Sequence, residues 1–286
     1  MSGITSRPQE ELAVPALTSV SDDPLTARAR AVWSGGDFSP IARSYDAGAA
    51  AFIDRVGIVP GDSVLDVACG TGNLALRAAR AGGAVIGVDI APNLIDEARR
   101  EAIAAGLAVQ FDVGDAEALP YSDAQFDVTV TMFGTMFAYR QDAAAAELVR
   151  VTRSGGRIVM ANWVPESFVG KMLRAHTAIV APPAGIPSPL AWGVAENVRE
   201  RFGNRVSSLE CTIRTLELRF PYPPAGVTEV FAACYGPTIA TLKAAGQEGA
   251  SRLRADLTRL FEEHNLARNG STIVASDYLE VRARVA

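Results

Sequence analysis

The residues best able to do chemistry lie in one run, Val64-Leu65-Asp66-Val67-Ala68-Cys69-Gly70-Thr71-Gly72-Asn73, where an aliphatic stretch ends in two closely spaced glycines. The run reads as a strand, a tight turn and the start of a helix, and such a turn lets a ligand approach the backbone closely. Gly70 to Ala75 also satisfies the looser dinucleotide-binding pattern, so the glycines alone do not separate a nicotinamide enzyme from other nucleoside binders. Asp66 tips the balance. A carboxylate beside the turn opposes a pyrophosphate but suits a cationic ammonium such as that of S-adenosylmethionine.

Two further acids stand where a nucleoside would need them. Val88-Asp89-Ile90 ends the next aliphatic stretch and places a carboxylate 23 residues after Asp66, suited to accept from both hydroxyls of a ribose. Gly114-Asp115-Ala116-Glu117-Ala118-Leu119-Pro120 supplies a third carboxylate, positioned to accept from an adenine amino group. Any one of these aspartates would serve as a helix or turn cap. Three of them in this order, at three successive strand ends, fit one nucleoside better.

These segments, together with Gly87 to Asp89 and Ser154-Gly155-Gly156-Arg157, resemble the ordered motifs of class I S-adenosylmethionine-dependent methyltransferases, and within them the ubiquinone/menaquinone-biosynthesis-like subgroup (methyltransferase types 11 and 25). The resemblance is specific from about Ile41 to Trp163 and vaguer afterwards. It implies a Rossmann-like, doubly wound α/β fold with seven strands, mostly parallel, the last antiparallel and inserted in the sheet, plus a helical cover. It also implies S-adenosyl-L-methionine as cofactor, with Tyr45, Asp66, Ala68, Gly70, Gly72, Asp89, Ile90, Asp115, Ala116 and Met132 in the cofactor site and no metal. Ala68 stands where a third glycine is common, a departure the family tolerates, and Tyr45 resembles a tyrosine that related enzymes fold over the cofactor.

Methyl transfer from a sulfonium is an in-line displacement with a good leaving group, so alignment and exclusion of water supply much of the catalysis. If the acceptor is a hydroxyl, a thiol or a protonated nitrogen, something must take its proton, and His176, Tyr45, Tyr139 or Tyr235 could do so. His176 and Tyr45 are the catalytic candidates carried forward, with a surface or satisfied histidine and a plain core tyrosine as the alternatives. His264, near a helix end, reads as structural. Trp163, Phe168, Met172, Trp192 and Tyr235 would either line an apolar acceptor pocket or pack the late segments onto the sheet. The function expected is transfer of a methyl group to a small, partly apolar acceptor. The competing readings are an S-adenosylmethionine-binding protein with another reaction and a nicotinamide-dependent oxidoreductase.

The elements that must position these groups follow from periodicity. Short aliphatic stretches at Ser63 to Ala68, Ala84 to Asp89, Val109 to Val113, Phe126 to Met132 and Arg157 to Asn162 alternate with helical patterns, as in a parallel sheet covered on both faces. Ser39-Pro40 reads as an N-cap and first helical position, opening one helix from Ile41 to Gly57. After Asn162 the rhythm breaks into a helix from Glu166, a proline-rich loop from Ala181 to Pro189 and a helix from Glu196 to Phe202. Leu209, Cys211 and Ile213 then alternate in the opposite phase to Leu216, Leu218 and Phe220, which predicts a bulged strand or two short ones. A helix from Gln247 to Asn265 and a strand from Ser271 to Arg282 follow. Residues 1–32, with Pro8, Pro15 and Pro24 among polar residues, read as a mobile tail before one domain over 33–286, in which 163–205 and 221–268 are helical cover. Trp163 to about Leu190, with the helix near Tyr45, is expected to close over the acceptor as a mobile lid.

Composition narrows the class further. The 286 residues suit one large α/β domain, and 49% hydrophobic with 21% charged residues is an ordinary globular balance. With 27 Lys and Arg against 32 Asp and Glu, nucleic acid is not an expected partner. Cys69, Cys211 and Cys234 match neither a disulfide framework nor a zinc site, which points to reduced thiols and a cytoplasmic protein. The N-terminal residues lack a signal peptide's apolar core, and the stretch from Ala178 to Ile186 carries Pro182 and Pro183 and falls short of the ~18 residues a membrane helix needs. No membrane contact is expected, and the oligomeric state is left open.

Overall fold

The computed structural model describes residues 23–286. A helix α1 (Pro24–Trp33) leads into α2 (Ser39–Ser44) and α3 (Asp46–Val56). The alternating part follows as β1 (Ser63–Val67), α4 (Asn73–Arg80), β2 (Ala84–Asp89), α5 (Pro92–Ala105), β3 (Gln110–Val113), β4 (Phe126–Met132), α6 (Gln141–Val151) and β5 (Thr152–Trp163). The later part contains α7 (Phe168–Ile179), α8 (Ala195–Phe202), β6 (Val206–Phe220), α9 (Pro224–Cys234), α10 (Gly236–Ala244), α11 (Gly246–His264) and β7 (Thr272–Val285).

The strands form a seven-stranded sheet in the order β3-β2-β1-β4-β5-β7-β6. β1 to β5 pair in parallel, while β7 runs antiparallel between β5 and β6. Val64, Leu65, Val128, Val130 and Ile158 are fully buried, as expected of parallel strands covered on both faces. Each such side chain contributes roughly 1.5–3 kcal/mol on leaving water. The chain leaves β1 toward β2 on one side and returns beside it as β4, so the carboxyl ends of β1 and β4 flank the point where strand order reverses. Open α/β sheets bind ligands there.

Three sequence expectations change. The mobile tail over 1–32 gives way, within the described residues, to α1: the Asp23 carboxylate accepts from Leu25 N and Thr26 N, and Pro24 fills the first turn, where its missing N–H costs nothing. Residues 1–22 lie outside the described part. The single helix from Ile41 to Gly57 is two helices, broken at Tyr45 (φ −117°, ψ 25°), with Asp37 rather than Ser39 supplying the capping carboxylate and Gly57 ending α3 in the left-handed region.

β6 is one strand whose register with β7 is continuous from Ser208 to Phe220; the only shift lies between Val206 and Ser208. The change of hydrophobic phase has another cause. Cys211 is half-buried near α8, whereas Leu216 meets α3 at Gly48 and Phe220 meets Phe231 and Phe261, so a different face of the strand is covered at each end. α9, α10 and α11 occupy the expected helical stretch 221–268, and α9, α10, α11 and α7 pack on one another, with α1 against α10 and α2 against α9. Among the described residues no helix is long and apolar enough to cross a membrane.

Candidate active site

A cavity of about 1350 Å³, counting the space at its mouth, opens at the carboxyl ends of β1, β2 and β4. One side is polar, with Asp66, Asp89, Asp115 and the backbone at Gly70 and Thr71. The other is apolar, with Phe133, Trp163, Met172, Leu218, Phe231 and Tyr235.

The polar side is built by the loop after β1. Ala68, Gly70 and Gly72 all have positive φ (56°, 55° and 85°), and Cys69 N–H still donates to Val88 O at 3.0 Å, so the loop curls tightly while the strand pairing holds. The left-handed turn at Ala68 needs space beside it: a Cβ on Gly134 would lie 2.5 Å from the Ala68 Cβ. Asp89 locks the loop from the neighbouring strand. Its Oδ2 accepts from Gly70 N–H at 2.8 Å and its Oδ1 from Ala91 N–H at 2.9 Å. Burial raises its pKa, and these two backbone donors oppose the rise.

Asp66 is 1% exposed, and its Oδ2 accepts from Ala75 N–H at 3.0 Å in the first turn of α4. Burial, opposed by that hydrogen bond and reinforced by the charge of Asp89, pushes its pKa up to about 8. A buried carboxylate in this state, with no cation beside it among the described residues, fits a cationic ligand group. Asp115 accepts from Glu117 N–H at 2.9 Å through Oδ1 and from the Thr26 hydroxyl at 3.1 Å through Oδ2. Arg140 joins Asp23, at the start of α1, to Glu117 at 2.7 and 2.9 Å, so α1 is tied across the mouth above Asp115.

The apolar side centres on Phe133, which follows β4 at φ 60° and donates its N–H to Ala161 O of β5. Its ring stacks on Trp163 with centroids 3.6 Å apart and planes at 7°, and meets Tyr45 and Tyr278 edge-on. Trp33, Phe38 and Tyr235 close the wall from α1, the α1–α2 link and the α9–α10 joint. Tyr45 and Tyr235 are buried, and neither hydroxyl has a protein hydrogen-bond partner among the described residues. Burial holds both phenols well above the usual tyrosine range, so both are protonated donors at neutral pH.

The residues from β1 to β5 match the model of a methyltransferase domain over residues 64–156. An uncharacterized protein of Mycobacterium tuberculosis is 37% identical over 254 residues, covering 86% of this chain and 91% of the relative. The demethylmenaquinone methyltransferase of Renibacterium salmoninarum is 34% identical over 154 residues, or 51% of this chain and 63% of the relative. The crystal structure of the YcgJ protein from Bacillus subtilis shares the fold at TM-score 0.58 and 17% identity, over 84% of this chain and 98% of that one. The chain belongs to the class I S-adenosylmethionine-dependent methyltransferases.

The nicotinamide reading of the glycine loop therefore gives way. In this methyltransferase Tyr45, Asp66, Ala68, Gly70, Asp89, Ile90, Asp115, Ala116 and Met132 all line the cavity. Gly72 does not. A Cβ there would lie 2.9 Å from the Phe111 ring and 3.3 Å from Ala98, so this glycine serves the packing of α4 and α5 on the sheet.

His176 also lies off the cavity wall, behind Tyr235 with ring centroids 6.4 Å apart. Its Nδ1 lies 2.8 Å from Met172 O, a carbonyl that can only accept, so Nδ1 carries the proton and Nε2 accepts from the Thr238 hydroxyl at 2.7 Å. Burial lowers its pKa, which keeps the ring neutral and bound on both sides. Of the other apolar candidates, Trp163, Met172 and Tyr235 line the cavity, while Phe168 packs on Phe261 and Trp192 lies beneath the Arg201 guanidinium. The loop from Ala181 to Pro189 is likewise absent from the wall, and the cover comes from α1, α7 and α9 together with Ile41, Ala42, Tyr45 and Ala49 of the helices near Tyr45. Leu25, Thr26, Ala29 and Trp33 of α1 are among the lining residues that sequence reasoning missed, as are Phe38, Leu218 and Phe231; for α1 the Asp23-Pro24 pair was the available signal, a capping acid followed by a first-turn proline.

Proposed function

We propose that this methyltransferase moves a methyl group to a small, partly apolar acceptor held in the aromatic half of the cavity. The observation that carries the reading is the division of one cavity into a carboxylate side at β1 to β3 and an aromatic side at β4, β5, α7 and α9. S-adenosylmethionine supplies a methyl group on a positively charged sulfur, so that an acceptor lone pair forms the new bond as the C–S bond breaks and sulfur keeps its electron pair.

The chain's own residues have distinct tasks in this reading. Asp89 accepts from the ribose hydroxyls while its backbone bonds keep the Gly70 loop in place. Asp66 faces the amino group. Asp115 accepts from the adenine amine, with its carboxylate oriented by Thr26 and Glu117 N–H. Tyr45, at the break between α2 and α3, stands between the two sides: its ring meets Phe133 and its hydroxyl feels the charge of Asp66. As a protonated donor it orients a reacting group rather than removing its proton. His176 holds α7 to α10 behind Tyr235 and so acts as a positioning residue.

Apolar walls exclude water from the reacting centre, which favours attack at a sulfonium. The test is a screen of small neutral and charged acceptors with detection of S-adenosylhomocysteine. Product that depends on both acceptor and an intact Asp89 supports the reading. Acceptor turnover without S-adenosylhomocysteine would instead favour a reaction other than methyl transfer.

A further inference from the structure

We infer that the outer edge of β6, from Ser208 to Thr215, is an interface at which a second copy of this chain adds its own β6 in antiparallel pairing, so that two seven-stranded sheets become one.

The edge is open. β6 ends the strand order and pairs with β7 on its inner side, and among the described residues no other backbone group bonds to the stretch from Ser208 to Thr215. Ser208, Glu210, Thr212, Ile213 and Thr215 are exposed. Folded proteins usually keep such an edge short or break it with proline, lysine or a bulge. β6 has 15 residues, contains neither proline nor lysine, and holds one register with β7 from Ser208 to Phe220.

Charge selects the partner and the register. Arg55 and Arg282 already donate to both oxygens of the buried Glu280 carboxylate, and Arg214 Nε lies 2.9 Å from it without making a hydrogen bond. Three guanidiniums thus share one carboxylate, an excess of positive charge beside the edge. Glu210 lies on the same face of β6 as Arg214 and has no ion pair among the described residues. Two antiparallel copies centred on Thr212 place Glu210 of each opposite Arg214 of the other. Centred on Cys211 or Ile213 instead, Glu210 would face Thr212 or Leu216. Glu217 and Arg219, farther along, are already paired with one another and do not compete.

The other face agrees. Leu209 and Cys211 are half-buried there and Ile213 is 57% exposed. In the register centred on Thr212, Ile213 of each copy faces Cys211 of the other, so the two apolar rows meet across the junction. A two-fold pairing of this kind is closed, and association stops at the dimer. Ser208 to Thr215 contribute nothing to the cavity wall, so pairing leaves both cavities untouched.

Analytical ultracentrifugation of the whole protein over a wide concentration range tests the interface, and the expected species is a dimer of twice 30.1 kDa. Ile213→Lys and Glu210→Arg alter exposed positions, and each enters a symmetric interface twice. Each should raise the dimer dissociation constant at least about tenfold while the circular dichroism spectrum and S-adenosylhomocysteine affinity stay those of the parent. Cross-linking reads the register. Opposed residues of antiparallel strands lie about 4.5–5.5 Å apart, within disulfide reach. Ile213→Cys should therefore give a covalent dimer on mild oxidation, through Cys211 of the second copy, and lose it when Cys211→Ser is added. A monomer at every concentration overturns the inference. So does growth into an open series of larger species, or a dimer that both charge variants leave intact or that Ile213→Cys fails to cross-link.

Discussion

The hydroxyl of Thr26 donates to Oδ2 of Asp115 at 3.1 Å, joining the first described helix to the end of the third strand. Together with the Arg140 bridge between Asp23 and Glu117, this bond holds α1 across the Asp115 end of the cavity. Thr26→Val keeps the shape and removes the donor. We expect the cofactor to dissociate about three- to tenfold faster, with no change in the circular dichroism spectrum, because one neutral-to-charged hydrogen bond closing the mouth is lost. Stopped-flow release measurements check this; an unchanged rate would mean that α1 does not gate the exit.

Asp89 is both a proposed ribose acceptor and the clamp on the glycine loop. Asp89→Ala therefore removes two supports at once, and cofactor affinity should fall by about 1.5–3 kcal/mol or slightly more. Asp89→Asn retains one acceptor oxygen and should fall between the two. Calorimetry on folded variants gives the ordering, and an alanine variant that binds as the parent does would remove Asp89 from the site.

Asp66 predicts a pH dependence with a definite sign. With its pKa near 8 in the ligand-free protein, the group is protonated at neutral pH and must release its proton to pair with a cation. Affinity for S-adenosylmethionine should therefore rise from pH 6 toward about 8 and fall above it, where the ligand's own α-amino group, with a pKa of roughly 7.7–8.0, loses its charge. Titrations in buffers of different ionisation enthalpy should show proton release on binding, and Asp66→Asn should abolish it. The same shift favours the neutral form in the fold, so the stability this group contributes is greatest below the ordinary carboxylate range and is lost as pH rises through about 8.

His176→Phe tests a holding role against a catalytic one. Loss of its bonds to Met172 O and Thr238 should cost about 1–3 kcal/mol of stability, seen as a lower thermal midpoint. Turnover should fall mainly through a higher KM for the acceptor, and the pH–rate profile should keep its shape. A lost acidic limb in kcat would return the histidine to the chemistry.

Gly70→Val places a β-branched side chain at φ 55°, where such residues are strained, on a wall whose nearest other atom is the Phe38 ring at 3.8 Å. Cofactor binding should be abolished in a protein that still folds. Normal binding would refute the placement of the loop.

Much of this was legible from local pattern. The β1 to β5 stretches announced themselves because parallel strands buried on both faces are continuous aliphatic runs, and Gly57 and Gly106 punctuate helix ends in the left-handed region. The acids at Asp66, Asp89 and Asp115 were readable because strand ends converge at one edge of such a sheet. What escaped depends on contacts between distant segments. Thr26 has no significance until α1 lies over Asp115, 89 residues away in sequence. The break at Tyr45 interrupts a helical pattern that continues through it. His176 carries the same spacing whether its ring faces a cavity or Thr238, and only the placement of α10 decides. The phase change along β6 mimics a bulge because periodicity records which face is covered and not what covers it.

The place of β7 has a consequence for how the molecule is made. β6 pairs only with β7, yet residues 221–271 separate the two along the chain. During synthesis, β1 to β5 and the glycine loop can assemble while Val206–Phe220 waits without a partner strand, its alternating apolar residues open to solvent. The sheet closes only when Thr272–Val285 slides in beside β5 and captures β6 on its other edge. Nascent chains arrested before that strand emerges should therefore be the species most prone to edge-to-edge association and most dependent on chaperones.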